Sequence, residues 1–309
     1  MPMIDPPALL PGITVFERGW LSSNNILLTG RDSTALVDSG YCTHAAQTVA
    51  LSGQALQGRA LDRLLNTHLH SDHCGGNAAL QQRYPALQTL IPPGQAAFVA
   101  DWDAQALTYT PTGQQCPRFR FDALLQPGSG IELGDRLWQI HAAPGHDPNA
   151  VVLFEAESRV LISADALWEN GFGVVFPELE GVNAFDEVAA TLDVIEALDP
   201  LVVIPGHGKV FSHVAESLGL ARRRLQSFVR DPRKHANHAA KVLLKFKLLE
   251  LQRIRYADFS QWAGSTRYFE MVHARYFPEV EPQAWLAQLT QDLVRAGAAA
   301  RDGDFVLNA

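Results

Sequence analysis

Along the first two thirds of the chain, short apolar runs alternate with polar turns and with amphipathic stretches of helical period. Ile13 to Phe16, Asn25 to Leu28 and Ala35 to Val37 read as early strands, the last ending in Asp38-Ser39-Gly40. Helical spacing follows around residues 43–52, 76–84 and 94–103. Between the first two lies the apolar run Leu61-Asp62-Arg63-Leu64-Leu65-Asn66. Strand patterns resume at Phe119 to Leu125, Ile131 to Leu133, Leu137 to Ala142, Val151 to Phe154 and Arg159 to Ile162, with Gly, Pro, Asp and Ser between them. A helix from about Ala184 to Leu198 leads to a strand at Leu201 to Ile204. Strands interspersed with helices predict packed sheets covered by helices, an α/β class of fold.

Beyond residue 211 the period changes. Ser212 to Val229, Ala239 to Leu251, Thr266 to Arg275 and Gln283 to Ala296 read as helices, the last led by Pro282. The chain closes on Ala298 to Leu307, where Asp302-Gly303 between short arms signals a hairpin. The pattern predicts two domains, residues 1–211 and 212–309.

Chemistry concentrates where the run at 61–66 ends. Thr67-His68-Leu69-His70-Ser71-Asp72-His73 places three imidazoles and a carboxylate within six residues, a donor set suited to divalent transition metals, zinc first. In an extended chain the period of two puts His68 and His70 on one side. Asp72 and His73, turning into a helix, would then serve a neighbouring position. Four ligands exceed what one catalytic zinc uses, so the segment points to two metals. Three more apolar runs end in candidate ligands: His146 after the run ending at Ala142, Asp165 after the run ending at Ile162, and His207 after Ile204.

In these elements the chain resembles the metallo-β-lactamase superfamily of metal-dependent hydrolases, over residues from about 13 to 210. The resemblance implies a four-layer αββα sandwich with metals at strand ends. It implies His68, His70 and His146 on one metal, Asp72, His73 and His207 on the other, and Asp165 bridging. Zinc is the expected pair, with iron or manganese as substitutes. With an acidic residue at 165 and the histidine at 70, the chain resembles the glyoxalase II and ribonuclease side of the superfamily. The terminal helices and hairpin resemble the winged-helix extension of some members, such as lactamase-β-like protein 2. The expected chemistry is attack on a thioester or related ester by a hydroxide shared between metals about 3.5–4 Å apart, Asp72 and Asp165 being the catalytic carboxylates. A thiolate, with a pKa near ~8.5, leaves with little protonation.

Further residues refine this expectation. Asp38 is a candidate partner for the free N–H of a ligand histidine, and Asn149 for an oxyanion donor. Trp168, Phe172 and Phe176, in the apolar stretch after Asp165, are candidates for an acyl pocket. Cys74 reads as a small buried residue.

Composition narrows the partners. A content of 47% hydrophobic and 19% charged residues fits a soluble globular protein, and no apolar run approaches the ~20 residues of a membrane span. Three cysteines without paired spacing and an amino terminus lacking a signal pattern predict a cytoplasmic protein. The net charge of −8 divides into −14 over residues 1–208 and +6 over 209–309. The basic half, with Arg222, Arg223 and Arg224, could clamp an anionic thiol carrier or hold nucleic acid. A metal-dependent endoribonuclease or phosphodiesterase is therefore the alternative reading. A mononuclear iron persulfide dioxygenase and an inert winged-helix binding protein rank below it. The pattern is silent on oligomeric state.

Overall fold

A computed structural model describes residues 9–309. The amino-terminal stretch considered above for a leader lies outside the described residues. The first sheet has six strands in the order β1 (Ile13–Phe16), β2 (Asn25–Thr29), β3 (Thr34–Val37), β4 (Arg63–Leu65), β5 (Gln88–Ile91) and β6 (Ala123–Leu124). β1 to β3 pair antiparallel, and β3 to β6 pair parallel. Between them run helices α1 (Ala45–Leu56), α2 (Ser71–Cys74), α3 (Asn77–Arg83), α4 (Ala96–Asp101) and α5 (Tyr109–Thr112). The second sheet takes the order β11 (Val202–Pro205), β10 (Val160–Ala164), β9 (Val151–Glu155), β8 (Arg136–Ala142) and β7 (Gly130–Leu133). In it β10 and β11 are parallel and the other pairs antiparallel. Helices α6 (Phe176–Glu180) and α7 (Phe185–Leu198) separate β10 from β11.

The strand period of two sorts side chains between layers. Ile26, Leu28, Val37 and Leu65 of the first sheet share a core with Ile140, Leu153, Ile162 and Ile204 of the second, so the sheets pack face to face. Their neighbours Leu27, Leu36 and Leu64 point the other way, onto Leu56 of α1 and Leu80 of α3. On the far side Val152, Phe154, Leu161 and Val203 meet Val188, Leu192 and Ile195 of α7. Helix, sheet, sheet, helix is the result. The inner strands β2, β3, β9 and β10 are buried on both faces, which is why they read as continuous apolar runs.

The rest of the chain forms α8 (Val214–Arg230), α9 (Pro232–Leu251), β12 (Arg253–Arg255), α10 (Tyr256–Ser265), α11 (Arg267–Tyr276), α12 (Pro282–Arg295), β13 (Ala299–Asp302) and β14 (Phe305–Asn308). β14 pairs with both β12 and β13, and a two-residue loop with Gly303 at positive φ joins the hairpin. Leu218, Ala221, Leu225 and Phe228 of α8 belong to the same core as α7. Helices α9 to α12 build a separate core around Leu244, Phe259, Phe269, Trp285 and Leu289, which also takes in Val174 and Leu179.

Most predicted elements are present, and the exceptions have local causes. Of the strand expected over Phe119 to Leu125, the ladder keeps Ala123 and Leu124. The Gln81 side chain instead takes both backbone groups of Arg120, and Asp122 accepts from the Thr89 N–H. Helix α9 starts seven residues ahead of the predicted Ala239, because Asp231 caps it by accepting from Lys234 N–H and Pro232 fits its first turn. β12 and α10 were not anticipated. Among the described residues, no helix is long and apolar enough to cross a membrane.

Candidate metal centre

The segments that follow β3, β4, β8, β10 and β11 converge at one edge of the sandwich. β4 ends at Leu65, so His68 and His70 do not inherit a strand's alternation. A tight turn orders them instead. Thr67 N–H and Thr67 Oγ1 both donate to the Asp38 carboxylate, at 2.9 and 2.8 Å. His70 is still extended at the N-cap of α2, and its carbonyl accepts from His73 N–H and Cys74 N–H. That single turn returns the His73 ring to within 4.0 Å of the His68 ring, centroid to centroid.

Two donor sets result, each with one ligand atom per residue lying within 4.8 Å of the others: His68, His70 and His146, and Asp72, His73, Asp165 and His207. In the first, His70 Nδ1 faces His68 Nε2 at 3.1 Å and His146 Nε2 at 2.8 Å. In the second, Asp72 Oδ2 lies 3.1 Å from His207 Nε2 and 3.8 Å from His73 Nε2. Asp165 connects them, with Oδ1 at 3.4 Å from His73 Nε2 and Oδ2 at 3.3 Å from His146 Nε2. A carboxylate with one oxygen toward each set can bridge two cations.

The remaining ring nitrogens have partners that aim lone pairs inward. His73 Nδ1 donates to Asp38 Oδ2 at 2.7 Å, His146 Nδ1 to the Val174 carbonyl at 2.5 Å, and His207 Nδ1 to the Gly19 carbonyl at 3.2 Å. His73 Nε2 is fully buried without a hydrogen-bond partner. A buried orphan nitrogen is costly unless something coordinates it, so the donor set fits a metal. Two glycines make room. A Cβ on Gly206 would fall 2.2 Å from Asp165 Oδ1, and one on Gly173 would fall 2.3 Å from His146 Nδ1.

The two sets differ electrostatically. Burial, reinforced by the neighbouring imidazoles, holds His68 well below the ordinary histidine range and His70 at about 3. Burial also lowers His146. These imidazoles are neutral at pH 7, with lone pairs free for a cation. Burial pushes the Asp165 carboxyl up, but His73 and His207 outweigh it and hold it well below the carboxylate range. Against burial, Asp165, Asp38 and Asp72 raise His73 well above its ordinary value. Cations would replace the protons that otherwise balance this acidic set.

A cavity of about 600 Å³ opens over the site. Of the three aromatics expected to line it, Trp168 and Phe176 do. The Trp168 indole N–H donates to Asp165 Oδ1 at 3.2 Å, and Phe176 packs edge-on against His70 at 5.1 Å. Phe172 does not line it: its ring is 1% exposed, packed against Phe228 and the Arg224 guanidinium. Asn149 is also displaced from its expected role. Its N–H closes a turn onto Asp147 Oδ1, and its side chain packs over Gly94 rather than facing the cavity. Cys74 is buried against Tyr109 and Cys116.

Several residues around the site were missed. Trp20, from the β1–β2 loop, stacks on His207 at 5.5 Å with a 10° interplanar angle. Asp147, directly after His146, sits 3.8 Å from His70 Nε2. Lys209 also lines the cavity, as does Arg224, one of the three arginines expected from the sequence as a clamp. Adjacency to ligands could have flagged Asp147 and Lys209, but nothing local marks Trp20.

Residues 18–207 match the family model described as the metallo-beta-lactamase superfamily. Among curated proteins, the chain is 30% identical over 229 residues to a hydroxyacylglutathione hydrolase of Anaeromyxobacter dehalogenans, covering 73% of this chain and 78% of that protein. It is 26% identical over 218 residues to human acyl-coenzyme A thioesterase MBLAC2, covering 63% and 77%. Among solved structures, a metallo-beta-lactamase family protein of Thermus thermophilus superposes with a TM-score of 0.59 at 20% identity, over 98% of this chain and all of that one. The matched segment spans both donor sets and the sandwich that carries them, and the chain belongs to the metallo-beta-lactamase superfamily.

Proposed function

We propose that this metallo-hydrolase uses two divalent cations, zinc in the first instance, to hydrolyse thioesters or related esters whose leaving thiol carries negative charge. The observation that carries the dinuclear reading is Asp165, which directs one carboxylate oxygen to each donor set. When bound, the metals supply Lewis acidity and a water that is nucleophilic near neutral pH. The chain's own residues do the positioning. Asp38 and the carbonyls of Val174 and Gly19 orient imidazoles, and Trp168 orients the bridging carboxylate.

The wall chemistry supports an anionic substrate. Lys209 and Arg224 face the cavity, and neither pairs with an acid among the described residues. The cavity-lining carboxylates other than Asp72 and Asp165 reduce to Glu169, which pairs with His213 at 3.1 Å. A thiolate needs little protonation to depart, which suits a wall with no free acid. The names of the relatives, hydroxyacylglutathione hydrolase and acyl-coenzyme A thioesterase, support the same class. The nucleic-acid reading loses support from the basic half itself. Arg222 bonds Asp193 and Glu196, Arg233 bonds Glu279, and Lys247 bonds Glu250, so these charges are answered within the chain. The strand–helices–hairpin layout of β12 to β14, on a core shared with α9 to α12, supports a winged-helix-like C-terminal module, with α8 packed in the core of α7.

Metal analysis of protein purified without added metal tests the reading, followed by assay on coenzyme A and glutathione thioesters. About two metals per chain are expected. Asp165→Ala should drop the content toward one and abolish turnover while the fold persists by circular dichroism. Full activity with a single tightly held metal would overturn the dinuclear reading.

A further inference from the structure

The cavity over the metal centre does not end at α9. A second trough of about 350 Å³ continues from it, and the two share Trp20, His238, Val242 and Phe246 as common wall. One side of the trough is a single face of α9, where His238, Val242, Phe246 and Leu249 recur at intervals of three and four residues. The opposite side is the end of α12, at Leu293 and Ala296. Trp20 stands at the junction, 57% exposed, with its ring over His207.

The trough offers little to a charged group. The Lys245 ammonium is taken up by the carbonyls of Ala298 and Ala309 and by Asn308 Oδ1. Asp292, on the rim, lies 3.4 Å from Arg295. His238 accepts from the Arg224 guanidinium at 2.6 Å and so presents no cation there. Lys241 is the remaining positive charge, too little for a polyphosphate arm. Lys209 and Arg224, which pair with no acid among the described residues, line instead the main cavity.

From this continuity and charge separation we infer that the trough between α9 and α12 is the acyl subsite, and that the substrates are thioesters of extended, unbranched acyl chains. The inference rests on the thioester reading. The carbonyl lies at the metal centre, the anionic thiol arm is held by Lys209 and Arg224, and the chain runs past Trp20 onto the apolar face of α9. Each methylene buried there adds about fourfold to binding.

The test compares acetyl, octanoyl and dodecanoyl thioesters of the same thiol, with the metal-loaded enzyme. In the wild type, kcat/KM should rise at least tenfold from acetyl to dodecanoyl. Ala296→Trp, at an exposed position past the last turn of α12, narrows the trough without disturbing a core. It should lower the dodecanoyl-to-acetyl ratio at least tenfold. A ratio equal in both proteins, or one near unity in the wild type, overturns the proposal. A variant that instead changes discrimination between coenzyme A and a short uncharged thiol would assign the trough to the leaving arm, and also overturns it. Binding of dodecanoate, read by tryptophan fluorescence in wild type and Trp20→Phe, tests the subsite independently of turnover. Saturable binding that shifts emission, reduced by Ala296→Trp, is expected. If no thioester is hydrolysed, the functional reading fails, and absence of dodecanoate binding then removes the subsite as well.

Discussion

At the scale of single residues, the centre is governed by what else each candidate ligand touches. Trp168 is the clearest case. Its indole N–H holds Asp165 Oδ1, the oxygen turned toward the second donor set, and its ring meets His207 edge-on at 5.5 Å. Partners of this kind typically change metal affinity by ~10–100-fold. Trp168→Phe keeps the wall and removes the donor. It should weaken the second metal about tenfold in a chelator-competition titration, with the first metal little changed. Equal affinities for both metals in the two proteins would mean that the hydrogen bond is incidental. Phe172 behaves differently although it stands four residues away. It is enclosed by Phe228 and Arg224, so Phe172→Ala should lower stability by about 3–5 kcal/mol in denaturant unfolding and leave acyl-chain preference unchanged. Both residues belong to one apolar run in the sequence. Which ring faces the cavity depends on the loop's path back to α6, and apolar composition carries no such information.

At the scale of elements, the inner strands were legible because burial on both faces made them continuous apolar runs, and α7 because its amphipathic face is long. The ends of α9 were less so. Its first turns carry Arg233, Lys234, His235 and His238, which read as polar chain, yet His235 is 1% exposed. There its Nε2 accepts from the Val175 N–H at 3.2 Å, tying α9 to the loop that carries the His146 partner Val174. Burial, with Arg224 nearby, depresses His235 to about 4 and His238 to about 3. Both lie below the unfolded value of ~6.5. Their contribution is therefore complete above pH ~6.5 and is lost as pH falls toward the folded values, because only the unfolded chain takes up the protons. Near pH 5 that amounts to about 2 kcal/mol per group. Wild type should lose unfolding midpoint between pH 7 and 5, and His235→Gln, with an amide oxygen to accept from Val175, should lose less. Parallel curves for the two proteins would contradict this assignment.

At the scale of the whole molecule, two sheets present strand ends along one edge, and the C-terminal helices close the space in front of it. Arg224 of α8, Val242 and Phe246 of α9 and Trp20 of the β1–β2 loop meet around a cavity whose floor comes from residues 68 to 207. The sequence by itself determined the metal chemistry. His-x-His-x-Asp-His, His146, Asp165 and His207 are recognisable because each follows an apolar run and because few donor types bind such cations. It likewise determined the layered class, since burial imposes a period on the chain. Asp38 was legible as a partner in kind, though not which histidine it holds. Tertiary structure alone decided the withdrawal of Phe172 and Asn149 from the cavity wall, the entry of Trp20, and which of the three candidate arginines, Arg224, reaches the cavity. The physical reason is distance along the chain. A ligand's identity is a property of its own side chain and turn, whereas a wall is made by side chains far apart in the sequence, whose meeting depends on how the layers pack.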